Sequence, residues 1–402
     1  MKTHGVRWIA FVALVTCVTL VALVLPAGSR LDAQGKGTIK IATQSPLSGG
    51  QAALGEGIKL ATQLALEKLK APLEKTGFKV ELVPFDDQAK PDVGVANAKN
   101  IIADPSILVV IGHLNSGVAI PSSEVYKEAS LAMISPANTN PTVTDRGYPN
   151  VFRVCGRDDV QGAVGAEFAK SLGIKTAYVI HDKTTYGQGV AEFFKAEAEK
   201  KGIKVLAFEG TEEKSNFDPL ITPIKARNPD LIYFGGIYEQ AGPFFKQARE
   251  KGVKSKFMGP DGMDSSDLTK IAGKAVVGMY YTSVSGPVSV YPQAKQFAQE
   301  YKKKFGKNPE PFAAQAYDAT AIALRAIQTA AKSGAPPSRE DVSGAIHNIK
   351  YTGLTGTIEF DQKGDPKKAL YFVLQVTSDD PDKWSDNREV KRLVIAAPSA
   401  KM

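Results

Sequence analysis

Two sets of polar loops carry the residues of this chain that are best suited to hold a small charged ligand. One set offers hydroxyl groups and helix-start N–H groups, which suit an anion such as a carboxylate. The other offers aromatic faces and carboxylates, which suit an ammonium group. A ligand with both charges would use both sets, although each residue alone could equally be a helix cap or a turn residue. The first set comprises segments 44–50 (QSPLSGG), 112–117 (GHLNSG) and 135–139 (SPANT); the second comprises 181–187 (HDKTTYG), 235–239 (GGIYE) and 259–262 (GPDG).

Catalytic motifs are largely missing from the sequence. It contains neither a G-x-x-x-x-G-K-[ST] phosphate loop nor a G-x-S-x-G nucleophile elbow. Gly55-Glu56-Gly57 lacks the third glycine of a dinucleotide fingerprint. Asp86 and Asp87 are adjacent in a predicted strand, so we expect them to point apart and to bind backbone donors. The sequence therefore predicts no enzymatic activity, no cofactor and no metal site. Three histidines beyond the N-terminal segment also lack zinc-ligand spacing: His113, His181 and His347.

The loops are positioned by an alternation of short apolar runs and amphipathic segments. Predicted strands alternate with helical segments over most of the chain. The predicted strands are 38–42, 79–85, 107–111, 131–134, 176–180, 204–208, 231–234, 256–258, 278–282, 356–360 and 370–376. This pattern is typical of parallel sheets covered on both faces. It restarts after Arg153, which predicts two Rossmann-like α/β lobes. Helical segments after Tyr291 have no strands between them, so we expect them to return to the first lobe.

The N-terminus has the pattern of a secretory signal peptide. Lys2 and Arg7 precede an uncharged apolar run over 9–25, and small residues follow. Cleavage is expected after Ser29 or after Ala33. The alternative is an uncleaved membrane anchor, because the run approaches the length of about 18–20 residues needed to span a bilayer.

Composition narrows the class of protein further. A hydrophobic content of 43% and a charged content of 23% fit a globular chain, and the length after cleavage suggests two domains of about 100–200 residues each. The net charge of +8 comes largely from lysines interspersed with glutamates, which argues against nucleic-acid binding. Cys155 is the only cysteine beyond the signal, so we expect a buried thiol and no internal disulfide.

Motifs spread over the whole predicted mature chain resemble the leucine/isoleucine/valine-binding protein family, the type I periplasmic binding proteins of ABC importers. This resemblance implies an α/β fold with two Rossmann-like lobes joined by three crossover segments. The implied division is a signal peptide at 1–33, lobe 1 at 36–155 plus 284–359, and lobe 2 at 156–283 plus 360–400, with crossovers near 154–157, 282–285 and 358–361. The motifs are 46–49 (PLSG), 85–87 (FDD), 111–114 (IGHL), 135–139 (SPANT), 181–187 (HDKTTYG), 233–236 (YFGG), 257–262 (FMGPDG) and 360–365 (FDQKGD).

The resemblance also implies a set of ligand-binding residues. Ser116 and Thr139 are expected to hold the ligand carboxylate, with backbone atoms from Ala137 and Asn138. Asp261 is expected to pair with the α-ammonium, helped by Tyr186. Three departures alter the side-chain compartment: Leu54 and Ile237 stand where the family has aromatic residues, and Asp261 replaces a longer glutamate. Tyr238 beside Ile237, and Gly262 beside Asp261, complete the predicted site.

By this resemblance the chain is expected to be the binding component of an ABC importer in the periplasm. It would capture an amino acid, most simply a branched-chain or aliphatic one, and deliver it as a monomer to a permease and ATPase complex in the inner membrane. Two alternatives stay open: the same fold binding an amide, urea or aromatic carboxylate, or a ligand sensor that reports to a membrane regulator.

Overall fold

A computed structural model describes residues 36–331 and 335–398, so the predicted signal peptide at 1–33 lies outside the described residues. Two sheets form the framework. The strands are β1 (Thr38–Ser45), β2 (Lys79–Asp86), β3 (Ile107–Gly112), β4 (Ala132–Ser135), β5 (Val151–Arg153), β6 (Thr176–His181), β7 (Lys204–Gly210), β8 (Leu231–Gly235), β9 (Lys256–Gly259), β10 (Tyr280–Ser283), β11 (Lys350–Gly353), β12 (Gly356–Glu359), β13 (Lys368–Gln375) and β14 (Arg388–Ala396).

Helices connect most of these strands. They are α1 (Ala52–Leu69), α2 (Ala71–Glu74), α3 (Pro91–Ala103), α4 (Ser116–Glu128), α5 (Thr142–Asp145), α6 (Asp158–Ser171), α7 (Thr185–Lys200), α8 (Asp218–Arg227), α9 (Tyr238–Glu250), α10 (Asp267–Ala272), α11 (Lys295–Phe305), α12 (Ala313–Ala330) and α13 (Arg339–His347). Within the described ranges, no helix is both long enough and apolar enough to cross a membrane.

The first sheet has the strand order β2-β1-β3-β4-β5, and all its neighbouring strands are parallel. Every residue of β3 is buried, as expected for a central strand covered by helices on both faces. Parallel pairing brings the carboxyl ends of these strands to one edge. Ligands bind at this edge in doubly wound folds.

The second sheet has the order β14-β13-β10-β9-β8-β6-β7. Strands β6 to β10 pair in parallel with one another, whereas β13 is antiparallel to both of its neighbours, β10 and β14. A separate antiparallel pair joins β11 to β12.

The chain passes between the two sheets three times. It leaves the first sheet after β5 and enters the second with β6. After β10 it returns, because α12 packs against α1 and β3, and α13 packs against β3 and β4. It then re-enters the second sheet at β13.

The predicted fold class, with two α/β lobes and three crossovers, is therefore confirmed, while the exact lobe boundaries stay a prediction. Strands β5, β11 and β14 were missing from the sequence prediction.

Candidate ligand-binding site

A small cavity lies between the loops of the two sheets. Its volume is about 20 Å³, which is room for about one water molecule. An amino acid is larger, so it could enter only if the lobes moved apart. Six of the ten predicted site residues line this cavity, namely Leu54, Ala137, Tyr186, Ile237, Asp261 and Gly262; the sequence did not predict the other three lining residues, Leu114, Asn115 and Phe312.

The predicted carboxylate side lies at the start of α4 and in the loop after β4. Helix α4 begins at Ser116, so its first N–H groups lack partners within the helix and can bind an anion. The Ser116 hydroxyl accepts a bond from the Asn140 N–H at 3.4 Å. Thr139 is fully buried, and its hydroxyl lies close enough to the Asp158 carboxylate to lower the pKa of that group. Neither Ser116 nor Thr139 lines the cavity directly, but both lie in loops that border it.

Asn138 holds these loops together. Its side-chain oxygen accepts bonds from the His113 N–H at 3.0 Å and from the Ser135 hydroxyl at 2.8 Å. Its side-chain nitrogen donates to the Leu114 carbonyl at 2.9 Å. Its backbone carbonyl accepts a bond from Arg153 at 2.8 Å. Because these groups are engaged within the protein, Asn138 fixes the loop geometry.

The predicted ammonium side is centred on Asp261. Its carboxylate accepts bonds from the Tyr186 hydroxyl at 2.7 Å and from the Gln161 side-chain nitrogen at 2.8 Å. The Gly262 N–H donates to the same Tyr186 oxygen at 2.7 Å. Burial raises the pKa of Asp261 to about 6. This carboxyl therefore lies in surroundings where an added positive charge would be stabilising.

A second buried carboxylate, Asp158, was not predicted from the sequence. It is the first residue of α6, is fully buried, and its N–H donates to the Thr139 carbonyl at 2.9 Å. The hydroxyl of Thr139 acts on its carboxylate and lowers its pKa, but less than burial raises it. Burial, and then the charge of Asp261, raise the pKa of Asp158 well above its usual value. Its position directly after a crossover was the available signal, but an acidic residue at a helix start is common without any binding role.

Apolar side chains close the rest of the cavity. Leu54 comes from α1 and Ile237 from the residue before α9. Phe312 comes from the residue before α12 and has a positive φ of 69°. Tyr238 is fully buried but does not line the cavity. The side-chain compartment is thus aliphatic on two sides and aromatic at Phe312.

Direct contacts join the two lobes around the cavity. The Gln51 side chain, held within the first lobe by a bond from the Asn115 side chain at 2.7 Å, donates across to Glu239 of the second lobe at 3.3 Å. The Asn140 side chain donates to the Thr185 carbonyl at 3.0 Å. The lobes are therefore in contact in a closed arrangement.

The other polar residues that the sequence singled out have structural partners. Asp86 accepts bonds from the N–H groups of Leu47 and Gln88, as expected for a carboxylate that binds backbone donors. The Asp87 carboxylate lies 3.2 Å from Nδ1 of the buried His113. Cys155 is buried, and burial raises the pKa of its thiol. The described residues include no cluster of three or more acidic, histidine or cysteine side chains that could hold a metal ion.

Two α/β lobes with an enclosed polar site between them define a two-lobed small-molecule binding protein. A family profile described as "Periplasmic binding protein" matches residues 38–381. The chain belongs to the periplasmic binding protein family, whose members bind ligands.

Curated relatives cover almost the whole chain. An amino acid binding protein of Pseudomonas aeruginosa is 33% identical, over 93% of this chain and 97% of its own length. A Leu/Ile/Val-binding protein homologue of Brucella abortus is 34% identical, over 92% and 97%. A leucine-, isoleucine-, valine-, threonine- and alanine-binding protein of Pseudomonas aeruginosa is 33% identical, over 89% and 94%. The predicted family relationship is confirmed.

Solved structures agree on the fold. A leucine-binding protein of Thermotoga maritima has a TM-score of 0.79 and 30% identity, over 88% of this chain and 98% of its own. A benzoate complex of a Rhodopseudomonas palustris solute-binding protein has the same TM-score at 19% identity, over 91% and 100%. At that identity the second similarity shows the fold alone.

Proposed function

We propose that this protein captures an aliphatic amino acid in the interlobe cleft, in the periplasm, and delivers it to an ABC permease. The observation that carries the proposal is the pair of buried carboxylates at the interlobe cavity: Asp261 lines the cavity, and Asp158 lies close enough for their charges to interact. Burying a charged ligand is costly unless each charge is paired. In this arrangement the ligand carboxylate has the start of α4 and Thr139, and its ammonium has the two aspartates.

The carboxylate pair argues for an amino group on the ligand. Asp158 and Asp261 raise each other's cost of ionisation, and a ligand with only a negative charge would add to that cost. An ammonium group would relieve it. An aromatic carboxylate without an amine, such as benzoate, is therefore the less favoured ligand.

The apolar lining supports an aliphatic side chain. Leu54, Leu114 and Ile237 present hydrocarbon to the cavity, with Phe312 on another side. Burying a leucine-sized side chain contributes about 1.5–3 kcal/mol, which favours leucine, isoleucine or valine over alanine. Relatives described as binding branched-chain amino acids support the same choice.

Titration calorimetry tests the proposal, with leucine, isoleucine, valine, alanine and phenylalanine compared with benzoate. Trp384 gives an independent signal, because it is the only tryptophan beyond residue 33 and its indole N–H donates to Asp264, near the site loop, at 2.9 Å. We expect micromolar or tighter binding of at least one aliphatic amino acid and no binding of benzoate. Binding of benzoate alone would contradict the proposal.

A matched pair of variants tests the ammonium contact. Asp261→Asn keeps the side-chain size but removes the charge, so leucine affinity should fall at least about 100-fold. Asp318→Asn is the control, because burial also raises the pKa of Asp318 to about 6 and this residue bonds only to Thr355 and Leu354, on its own side of the fold. The control should bind leucine normally. Equal affinity in both variants would exclude Asp261 as the ammonium partner.

A further inference from the structure

A buried ionic contact lies directly behind the loop that carries Thr139. Arg153, the last residue of β5, is fully buried, and its Nε donates to the Asp365 carboxylate at 2.6 Å. Asp365 lies in the third crossover, whereas Arg153 lies at the start of the first. The contact therefore ties two crossover segments together.

The same guanidinium holds the Thr139 loop. Its Nη1 donates to the carbonyl of Asn138 at 2.8 Å and to the carbonyl of Asn140 at 3.0 Å, so it hydrogen-bonds to the residues on either side of Thr139. Its Nη2 donates to the Thr144 hydroxyl, and that hydroxyl donates to Asp365 at 2.8 Å. A planar guanidinium can make these bonds at once, and a lysine ammonium cannot match their geometry.

Asp365 is held in its ionised form. Burial alone would raise its pKa, but the charges of Arg153 and Arg157 lower the pKa of this carboxyl below its usual value. Arg157 donates to the other Asp365 oxygen at 2.7 Å. Arg157 also reaches Asp159 of α6 at 2.9 Å, and Asp159 is the neighbour of the site carboxylate Asp158. The network thus extends from the Thr139 loop to the first turn of α6.

From these contacts we infer that Arg153 is a positioning residue for ligand binding, and that Asp365 acts through it. Arg153 fixes the Thr139 loop in the shape that meets the ligand, and the third crossover fixes Arg153. This inference rests on the proposed function, since it assigns Thr139 to the ligand. It predicts that ligand affinity depends on a contact between crossovers that does not touch the ligand.

Arg153→Lys and Asp365→Asn test the inference, with Arg339→Lys as the matched control. Arg339 also uses its guanidinium to hold backbone carbonyls, including those of Ile107 at 2.9 Å and Asp104 at 2.7 Å, but at the opposite end of β3 from the binding loops. Groups that orient a binding residue typically change affinity about 10- to 100-fold. We expect Arg153→Lys and Asp365→Asn to lose leucine affinity on that scale. Arg339→Lys should lower the melting temperature by a similar amount but change leucine affinity by less than about twofold.

A double variant separates positioning from general destabilisation. If Asp365 acts through Arg153, the combined variant should bind leucine no more weakly than the worse single variant. Additive losses would mean that the two residues act independently and would overturn that part of the inference. Asp365→Asn, the milder change, keeps the test available if Arg153→Lys fails to fold.

Hydrogen exchange on the ligand-free proteins gives a readout that does not need a ligand. Arg153→Lys should speed exchange selectively in segment 137–144, and Arg339→Lys should do so in 101–107. If the wild-type protein binds no amino acid, the proposed function fails, but faster exchange at 137–144 would still support the positioning role. Wild-type leucine affinity together with unchanged exchange in Arg153→Lys would overturn the inference.

Discussion

Amino-acid binding should release protons and weaken at acid pH, because two buried carboxylates face the proposed ammonium position. Burial raises the pKa of Asp261 to about 6. Burial and the charge of Asp261 raise the pKa of Asp158 well above its usual range. Two such groups do not both ionise in a dry site unless a cation arrives. The ligand ammonium would be that cation.

The sign and size follow from the titration of Asp261. An ammonium favours the ionised carboxylate, so binding lowers its pKa and a proton leaves. With a pKa of about 6, roughly nine tenths of Asp261 is ionised at pH 7 and about a tenth at pH 5. Leucine affinity should therefore fall about tenfold between these pH values from this group alone. Protonation of Asp158 should lower leucine affinity further as the pH falls, because its pKa is also raised.

Calorimetry at several pH values, in two buffers with different ionisation enthalpies, measures both effects. At pH 6 the difference between buffers should correspond to release of about half a proton from Asp261. Asp264 lies nearby, and burial raises its pKa to about 6 as well, so it would add to the release. Asp158→Asn should reduce the number of protons released, and the Asp318→Asn control should leave it unchanged.

One result would refute this reasoning. If leucine affinity stays constant from pH 7 to pH 5 and the heats agree in both buffers, neither carboxylate changes its protonation on binding. The ammonium would then have to bind elsewhere, and the assignment of Asp158 and Asp261 to it would be wrong.

Two further predictions concern stability. Asp158→Asn should raise the free energy of unfolding of the ligand-free protein by about 1–3 kcal/mol at pH 8, measured by urea unfolding, because ionising a buried carboxyl with a raised pKa costs stability as the pH rises. This gain should vanish near pH 4, where the carboxyl is protonated in both states. The same variant should bind leucine more weakly. Gly55→Ala should lower the free energy of unfolding, measured by urea unfolding, by about 1–3 kcal/mol or more, because a Cβ there would lie 1.8 Å from the Pro46 carbonyl oxygen. Gly344→Ala is the control: a Cβ there meets nothing within 4 Å, so this variant should be neutral or stabilising.

The sequence predicted most of the residues that line the cavity because the loops follow from local patterns. Apolar strands alternate with helices, and parallel pairing brings their carboxyl ends to one edge. Residues in the loops of one sheet, such as Ser116 after β3 and Asn138 after β4, could therefore be placed near one another, whereas the meeting of Ala137 and Asp261 across the two sheets was implied by the resemblance. Tyr186 and Asp261 are joined by a hydrogen bond, while their role toward a ligand ammonium stays a prediction.

Phe312 could not be found in the same way. The sequence predicted that the helices after Tyr291 return to the first lobe, and α12 does pack against α1, but no local pattern shows which residue before α12 reaches the cavity. Asp158 was missed for a different reason. An acidic first residue is common in helices, and only the tertiary structure reveals that its carboxylate is buried beside Asp261.

The missing strands have their own physical causes. Strand β5 has only three residues, which is too short for a periodic signal. Strand β14 lies at a sheet edge, where charged residues such as Arg388 and Glu389 break the apolar pattern. Charges on an edge strand discourage pairing with strands of other chains. The charged residues that made β14 hard to predict therefore also protect it from edge-to-edge association.

The placement of the charged groups suggests how a ligand would drive closure. Thr139 belongs to the first lobe and Asp261 to the second, so one small amino acid would contact both only when the lobes close around it, with more room than the cavity of this structure provides. A ligand shifts a conformational equilibrium only by its difference in affinity between the two states. In this cleft that difference would come from the ammonium contact to Asp261, added to the interlobe bonds of Gln51 and Asn140. A ligand lacking the ammonium group would lose the contact that favours closure, so recognition and closure would depend on the same carboxylates.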